Sequence, residues 1–412
     1  MLSVADAART VIERVPRLAT ETIALDAALG RILAMNIVAE RALPAFDNSA
    51  MDGYAVRAAE LPGALRLAGV VAAGGAARTE PVPEKQCVRI FTGAPMPADL
   101  DTIVIQEDIT TDEAGNIVFP SATLGDNVRK TGEDIAVGDT VIVAGTRIAA
   151  WHLGVLAALG MATVPVSRRP RVALIATGDE LVDIETPPGP GQLVDSSAHA
   201  LAALVAEAGG DAHRVGIARD DLSALADLIA AAMGYDVVIT TGGVSVGDRD
   251  HVRSALAAAG VELELYKVAM KPGKPFSFGM RPSLSASASG VTQLGELGKP
   301  VFGLPGNPVS TVVAFELFVR PALLAMQGAT VVDRPRAPVQ LARGFRKPEG
   351  RAHFLRANVV RNGEHLIAHP HAKQGSAMLS SLVGCNALVE LPAQATDFDV
   401  GSLATAILLE AV

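Results

Sequence analysis

Between Arg171 and Leu304 the chain alternates short apolar, β-branched runs with Ala/Leu-rich stretches of helical spacing. That alternation leaves little choice of fold. Strands read at 171–176, 212–217, 237–240, 261–268, 276–279 and 301–304. Helices read at 198–208, 222–233, 251–259 and 309–325. Strands separated by helices imply a doubly wound α/β domain on a parallel sheet, because parallel neighbours need helix-length crossovers. The conspicuous loops all follow strands: 177–181, 240–250, 270–275 and 304–308. Ligands bind at the carboxyl ends of strands in such sheets, so four segments are expected to converge on one crevice.

The central loop, after Val237-Val-Ile239, carries Thr241, Gly242, Gly243, Ser245 and Gly247, then Asp248 and Asp250. Glycine lets the backbone approach a ligand, and the N–H groups of a following helix face an anion. Gly242 and Gly247 have Walker A spacing, but Asp248-Arg249 stands where that loop needs Lys then Ser/Thr. The GxGxxG fingerprint is absent as well. A phosphate loop outside both classes is expected; a tight turn with acidic caps would use the same residues without a ligand. Lys271 and Lys274 lie in a Pro/Gly-stiffened loop, and Glu180, Asp248 and Asp250 are expected opposite them. Cations, carboxylates and glycine amides together suit a phosphorylated ligand carrying Mg²⁺. Surface salt bridging is usual for isolated lysines but is less expected in this rigid frame. Asp195 and Ser196 are read as the cap of the helix at 198–208.

The remainder is organised differently. Ser3–Val15 reads as an amphipathic helix with a capping box at Ser3 and Asp6. Its apolar stripe suits core or a partner helix. Asp47, Asn48, Ser49, Asp52 and Gly53 crowd one loop with turn-forming side chains. From about Arg57 to Ala144, short strands between Gly/Pro turns indicate a small inserted β domain, with Thr92-Gly-Ala-Pro-Met-Pro97 straight after a strand. Ile148–Val166, broken by His152, Gly154, Gly160 and Pro165, reads as a buried helix and a strand, not a membrane span. After Val331 short strands again imply a terminal β domain. His365, His369 and His371 fit a solvated strand better than a metal site.

Half the residues are hydrophobic and 19% are charged, which excludes a disordered chain. A net charge of −9 argues against a nucleic-acid partner. Cys87 and Cys385 are too far apart in sequence for a CxxC metal site. The N-terminus has no basic region before an apolar core, so no signal peptide is expected and a cytoplasmic protein is. No Ser/His/Asp or Cys/His order supports covalent catalysis, which favours chemistry by positioning and electrostatics.

Taken together, FDNSAMDGYAV at 46–56, TGAPMP at 92–97, GED at 132–134, TGDEL at 177–181, TGGVSVGDRD at 241–250, MKPGKP at 270–275, GLPGNPVS at 303–310 and QGSAML at 374–379 resemble the molybdopterin molybdenumtransferases, relatives of the gephyrin E domain. The resemblance implies a split, elongated N-terminal domain (1–47 and 140–169), an inserted β domain (48–139), an α/β molybdopterin-binding domain (170–328) and a β-barrel-like C-terminal domain (329–412). It implies a homodimer with an active site shared between subunits. Molybdate and adenylylated molybdopterin would be substrates, Mg²⁺ would assist and AMP would be released. Asp52, Thr92 and Asp134 would meet Glu180, Asp248 and Asp250, with Lys271 and Lys274 on phosphate or molybdate. Glu180, Asp248 and Asp250 would take the metal. Thr241, Gly242, Gly243, Ser245, Gly247, Asp195, Ser196, Pro305, Asn307, Pro308 and Ser376 would line the ligand site. Three positions depart from the family pattern: Ser197 for Asn, His251 for an aromatic and Asp99 for Gly. An adenylyltransferase of the preceding step and a non-catalytic molybdopterin-binding scaffold are the alternatives.

Overall fold

A computed structural model describes residues 1–219, 221–243, 251–282, 298–410 and 412. Helix α1, Val4–Arg14, starts at Ser3, whose hydroxyl accepts from the Asp6 N–H at 3.1 Å. Ala7 and Val11 on its apolar stripe are fully buried, and they pack in the core of the α/β region. Thr20–Ala24 pairs antiparallel with Thr163–Ser167, and Ile37–Val38 with Thr140–Ile142. Residues 20–39 and those around 140–167 therefore form one body. Between them lies a six-stranded sheet ordered Thr102–Ile105, Gly53–Val56, Gln86–Ile90, Gly63–Val71, Ile117–Phe119, Thr110–Thr111.

Helix α2, Ala150–Ala158, contradicts its reading as a buried helix. Only Leu156 is buried, and Trp151 is 73% exposed. Its residues are apolar on every side, so burial of one face leaves the others in water.

The central sheet comprises β1 (Arg171–Thr177), β2 (Asp211–Ala218), β3 (Val237–Thr241), β4 (Glu262–Tyr266), β5 (Ser277–Arg281) and β6 (Lys299–Leu304), in the order β2-β1-β3-β6-β5-β4. β1, β2, β3 and β6 run parallel, but β5 is antiparallel to both β6 and β4. The expected all-parallel sheet is thus a mixed one. Residues 267–276 between β4 and β5 hold no helix to carry a crossover, so the chain reverses instead. The lysine loop nonetheless lies at the same end of the sheet as the carboxyl ends of β1, β3 and β6.

Helix α3, Ser196–Glu207, begins two residues before its expected start, with Asp195 alone as the cap. Helices α4 (Leu222–Ala232) and α5 (His251–Ala258) cover one face through Ile229, Val252 and Leu256. The other face meets α1, α3 and a helical run of α6 (Pro308–Ala314), a π-helical stretch at Phe315–Val319 and α7 (Arg320–Met326). The π stretch interrupts the single helix expected at 309–325. The run is long and apolar enough to cross a membrane, but 89% of its apolar stretch is buried inside the protein, as befits a core helix. Phe276 stacks on Phe318 at 4.3 Å between ring centres, joining the lysine loop to this core.

The terminal strands β7 (Arg336–Leu341), β8 (Ala352–Asn362), β9 (His365–Pro370), β10 (Ala387–Leu391) and β11 (Leu403–Leu408) close on themselves in the order β8-β9-β7-β11-β10-β8, a five-stranded barrel. His365 and His369 are exposed on β9, as a solvated strand predicts, while His371 lies past its end. Met270 and Lys271, in the loop after β4, pair with Ala352 and His353 and add a short parallel edge to the barrel.

Candidate active site

A cavity of about 850 Å³ opens at the carboxyl ends of β1, β3 and β6. Three hydrogen bonds fix the strand ends beneath it. Thr177 Oγ1 donates to the Thr241 carbonyl at 3.0 Å, the Gly242 N–H to Leu304 at 3.1 Å, and the Gly178 N–H to Ala218 at 3.1 Å. Gly242 and Gly243 have φ of +82° and +63°. A side chain at Gly243 would come within 2.1 Å of Val252 Cγ2, and one at Gly242 within 2.5 Å of the Thr177 carbonyl. Glycine is thus required by conformation and by space.

Two helices point their N-termini at the cavity. Asp195 caps α3 by accepting from the Ala198 N–H at 3.1 Å. Asn307, the cap residue of α6, makes no side-chain cap bond, and Pro308 fills the first helical position, where its missing N–H costs nothing. Thr311 Oγ1 donates to the Pro305 carbonyl at 2.5 Å and ties down the Pro305-Gly-Asn-Pro308 turn. N–H groups and helix dipoles at this end favour an anion without a lysine in the wall. Ser197 is buried in the wall, so that departure from the family pattern faces the cavity.

Of the expected residues, Glu180, Asp195, Ser196, Thr241, Gly242, Gly243, Pro305, Asn307 and Pro308 line the cavity. Lys271, Lys274 and Ser376 do not, although their neighbours Pro275 and Ala377 do. Both lysines are exposed, and the edge pairing to β8 fixes their loop as well as its prolines. Ser376 offers its carbonyl to the Val309 N–H at 3.2 Å, which joins the barrel loop to the start of α6. Ser245, Gly247, Asp248 and Asp250 lie outside the described residues.

Asp52 and Thr92 sit apart, on loops of the inserted sheet, and Asp134 lies on the segment after it, its N–H donating to the Leu43 carbonyl at 3.1 Å. Asp52 accepts from Thr92 N–H at 2.8 Å and Oγ1 at 2.7 Å, which holds its carboxyl below the usual aspartate range. Asp47, read from sequence only as a turn residue, accepts from Lys130 Nζ at 2.9 Å and from Thr131 N–H and Oγ1 at 2.8 and 2.9 Å. The Lys130 contact and the Thr131 N–H lower its pKa as well. Asp47 thereby anchors the segment that leads to exposed Asp134. Asp99, another departure, pairs with Arg57 at 2.6 Å and accepts from the Val82 N–H at 2.8 Å, a structural bond inside this sheet.

Sequence reasoning missed Arg356. It is 1% exposed and has no carboxylate partner among the described residues; burial lowers its pKa. It donates to Ser381 Oγ at 3.0 Å and to the Gly375 carbonyl at 3.0 Å, while Gln374 bonds its backbone from both sides. These bonds hold the loop that brings Ala377 and Leu379 to the cavity. A lone arginine in a strand pattern gave no such signal.

The chain matches the family models "MoeA N-terminal region (domain I and II)" over residues 2–160, "Probable molybdopterin binding domain" over 173–325 and "MoeA C-terminal region (domain IV)" over 338–409. It is 34% identical to the molybdopterin molybdenumtransferase of Haemophilus influenzae, covering 98% of each chain. It is 35% identical to that of Bacillus subtilis, covering 95% of this chain and 90% of the relative. The crystal structure of a molybdopterin biosynthesis moeA protein from Pyrococcus horikoshii superposes with a TM-score of 0.82 at 27% identity, covering 99% of this chain and 100% of that one. With every region matched in order over nearly its whole length, the chain belongs to the MoeA family of molybdopterin molybdenumtransferases.

Proposed function

We propose that this chain inserts molybdenum from molybdate into adenylylated molybdopterin, breaking the phosphoanhydride, releasing AMP and leaving the metal on the dithiolene. The observation that carries the reading is the cavity at the strand ends. It combines two helix N-termini, a glycine turn and an acid, Glu180, and the barrel loop closes it. Backbone N–H groups would hold the phosphates, and Lys271 and Lys274 would draw the oxyanion toward the barrel edge. The preceding adenylyltransferase step is not favoured, since full-length relatives carry the molybdenumtransferase name.

Mg²⁺ fits the donor chemistry of this wall. Glu180 and Asp195 place carboxylates among its lining residues, and a magnesium ion takes one or two carboxylates together with substrate phosphates and water. Glu180, with Asp248 and Asp250, would hold it, and it would neutralise charge on the breaking phosphoanhydride. We assign Asp52, Thr92 and Asp134 to the cavity of a second copy. They share no wall with the cavity of their own chain, and exposed Trp151, Met35, Val38 and Val143 give the N-terminal body an apolar surface suited to a dimer. The domain boundaries expected from the family and a cytoplasmic location belong to the same reading.

The test is a reconstitution with adenylylated molybdopterin, molybdate and Mg²⁺, following AMP release and activation of an apo-molybdoenzyme. Asp52→Ala and Glu180→Ala should each be inactive, while mixed subunits recover up to about a quarter to a half of the activity through the dimers that keep one intact site. Absence of AMP release by the unaltered protein would sink the transferase reading; absence of recovery would sink the shared site.

A further inference from the structure

A second cavity, of about 480 Å³, runs along the edge strand β2. It shares one wall residue, Asp195, with the first. In its wall an Arg214 guanidinium nitrogen lies 2.9 Å from His199 Nε2 and 3.9 Å from an Asp183 carboxylate oxygen. A guanidinium can only donate, so His199 Nε2 accepts and the neutral ring keeps its proton on Nδ1. Toward the start of β3, the Tyr235 ring lies 4.9 Å from that of His213. The register between β1 and β2 slips between Leu174 and Ile175, leaving Val215 as an extra residue. Such bulges re-aim side chains beside binding sites.

The wall has two carboxylates and one guanidinium, so it is poorly suited to a phosphate, which the amides of the first cavity serve better. It offers acceptors at Asp183 and Asp195 and donors at Arg214 and His199, while the Tyr235 ring is already packed by His213 and by the Arg171 guanidinium, 4.9 Å from its centre. An amino group beside ring nitrogens needs that mixture. We propose that this cavity is a recognition subsite for an amino-substituted pyrimidine ring at one end of the substrate held in the first cavity. The inference rests on the transferase reading for its substrate. In that substrate both the pterin and the adenine carry such a ring. The strand order puts the lysine loop at the opposite edge of the sheet. A molecule lying across the strand ends would therefore meet oxyanion chemistry at one edge and the acceptors of Asp183 and Asp195 at the other.

The test titrates the full-length protein with 5′-AMP, with free pterin and with pyrophosphate. It compares the unaltered chain with Arg214→Leu and with the cavity-filling Ala198→Leu. Asp183→Asn, at a half-exposed side chain, stands in if Ala198→Leu fails to fold. Loss of a hydrogen-bonded charge should weaken one ring probe about tenfold or more, with pyrophosphate unchanged. Weakened AMP assigns the adenine end, and weakened pterin the pterin end. Weakening of both with pyrophosphate intact supports the ring class without sorting the ends. Three outcomes overturn the subsite: ring probes that bind every variant as tightly as the unaltered protein, ring probes that do not bind the unaltered protein, or pyrophosphate weakened in parallel. If the unaltered protein binds a ring probe but releases no AMP from adenylylated molybdopterin and molybdate, the transferase reading fails and the ring site stands. If it turns over and Arg214→Leu keeps its KM, the subsite alone fails.

Discussion

At the strand ends the cavity wall is built on buried ladders and helix starts. In the inserted sheet, Asp47 and Asp52 are part-exposed side chains that tie neighbouring loops together. The first arrangement is rigid because moving one N–H means moving a strand. The second is local and adjustable, since each carboxylate holds a few donors near water. A site assembled from both would fix its phosphates on the stiff side and present its acids on the compliant side.

The largest effect should follow from breaking the stiff side. Gly243→Ala forces a side chain against Val252 at a positive φ, and AMP release should fall by about 100-fold, in line with a misplacement of about 1 Å. Initial rates, with circular dichroism as a check on folding, measure it. Phe276→Ala should cost about 3–5 kcal/mol, read by urea denaturation, because it empties the core behind the lysine loop. Arg356→Ala should lower AMP release about 10- to 100-fold by freeing the loop at 373–382, with partial rescue by Lys, since lysine lacks the fork that reaches Ser381 and Gly375 together.

On the compliant side the effects should be smaller and follow pH. Thr92→Val removes the hydroxyl donor that keeps Asp52 ionised, so the Asp52 pKa should rise toward the usual aspartate value. The folded pKa is the depressed one. The stabilisation is therefore present above the unfolded pKa and lost as pH falls through the folded one. Carboxyl NMR titration should show the upward move, and an unmoved titration would mean the N–H alone suffices. The smallest effect concerns the barrel. His353 is 4% exposed, its Nε2 has no partner among the described residues, and burial with Lys271 nearby pushes its pKa down to about 4. Between pH 6.5 and about 4 the unfolded chain binds the extra proton, so barrel stability should fall as pH drops across that window. His353→Leu should flatten that slope in amide exchange of β8 and β10.

Much of the stiff side was legible in the sequence, because its signals are local. The Val237–Thr241 run, the paired glycines, the Asp195 cap and the Pro305–Pro308 turn each act within a few residues. What was not legible depends on distant partners. The pairing of Lys271 with His353 spans the α/β region and the barrel. The α1 stripe looked like core or a docking face, and only its contacts with the α6–α7 run decide which. Trp151 misled because an apolar helix reads alike whether it is covered by its own chain or left exposed. Asp47 looked like one turn former among several until its partners at 130 and 131 came beside it.

The strand edge at Met270–Lys271 bears on how such a chain can change over time. A segment that links two strands of one module while bordering another belongs to both. Neither module can be exchanged for a foreign version unless the newcomer offers a matching edge at Ala352–His353. Recombination that treats the barrel as a separable cassette would leave the lysine loop without its splint.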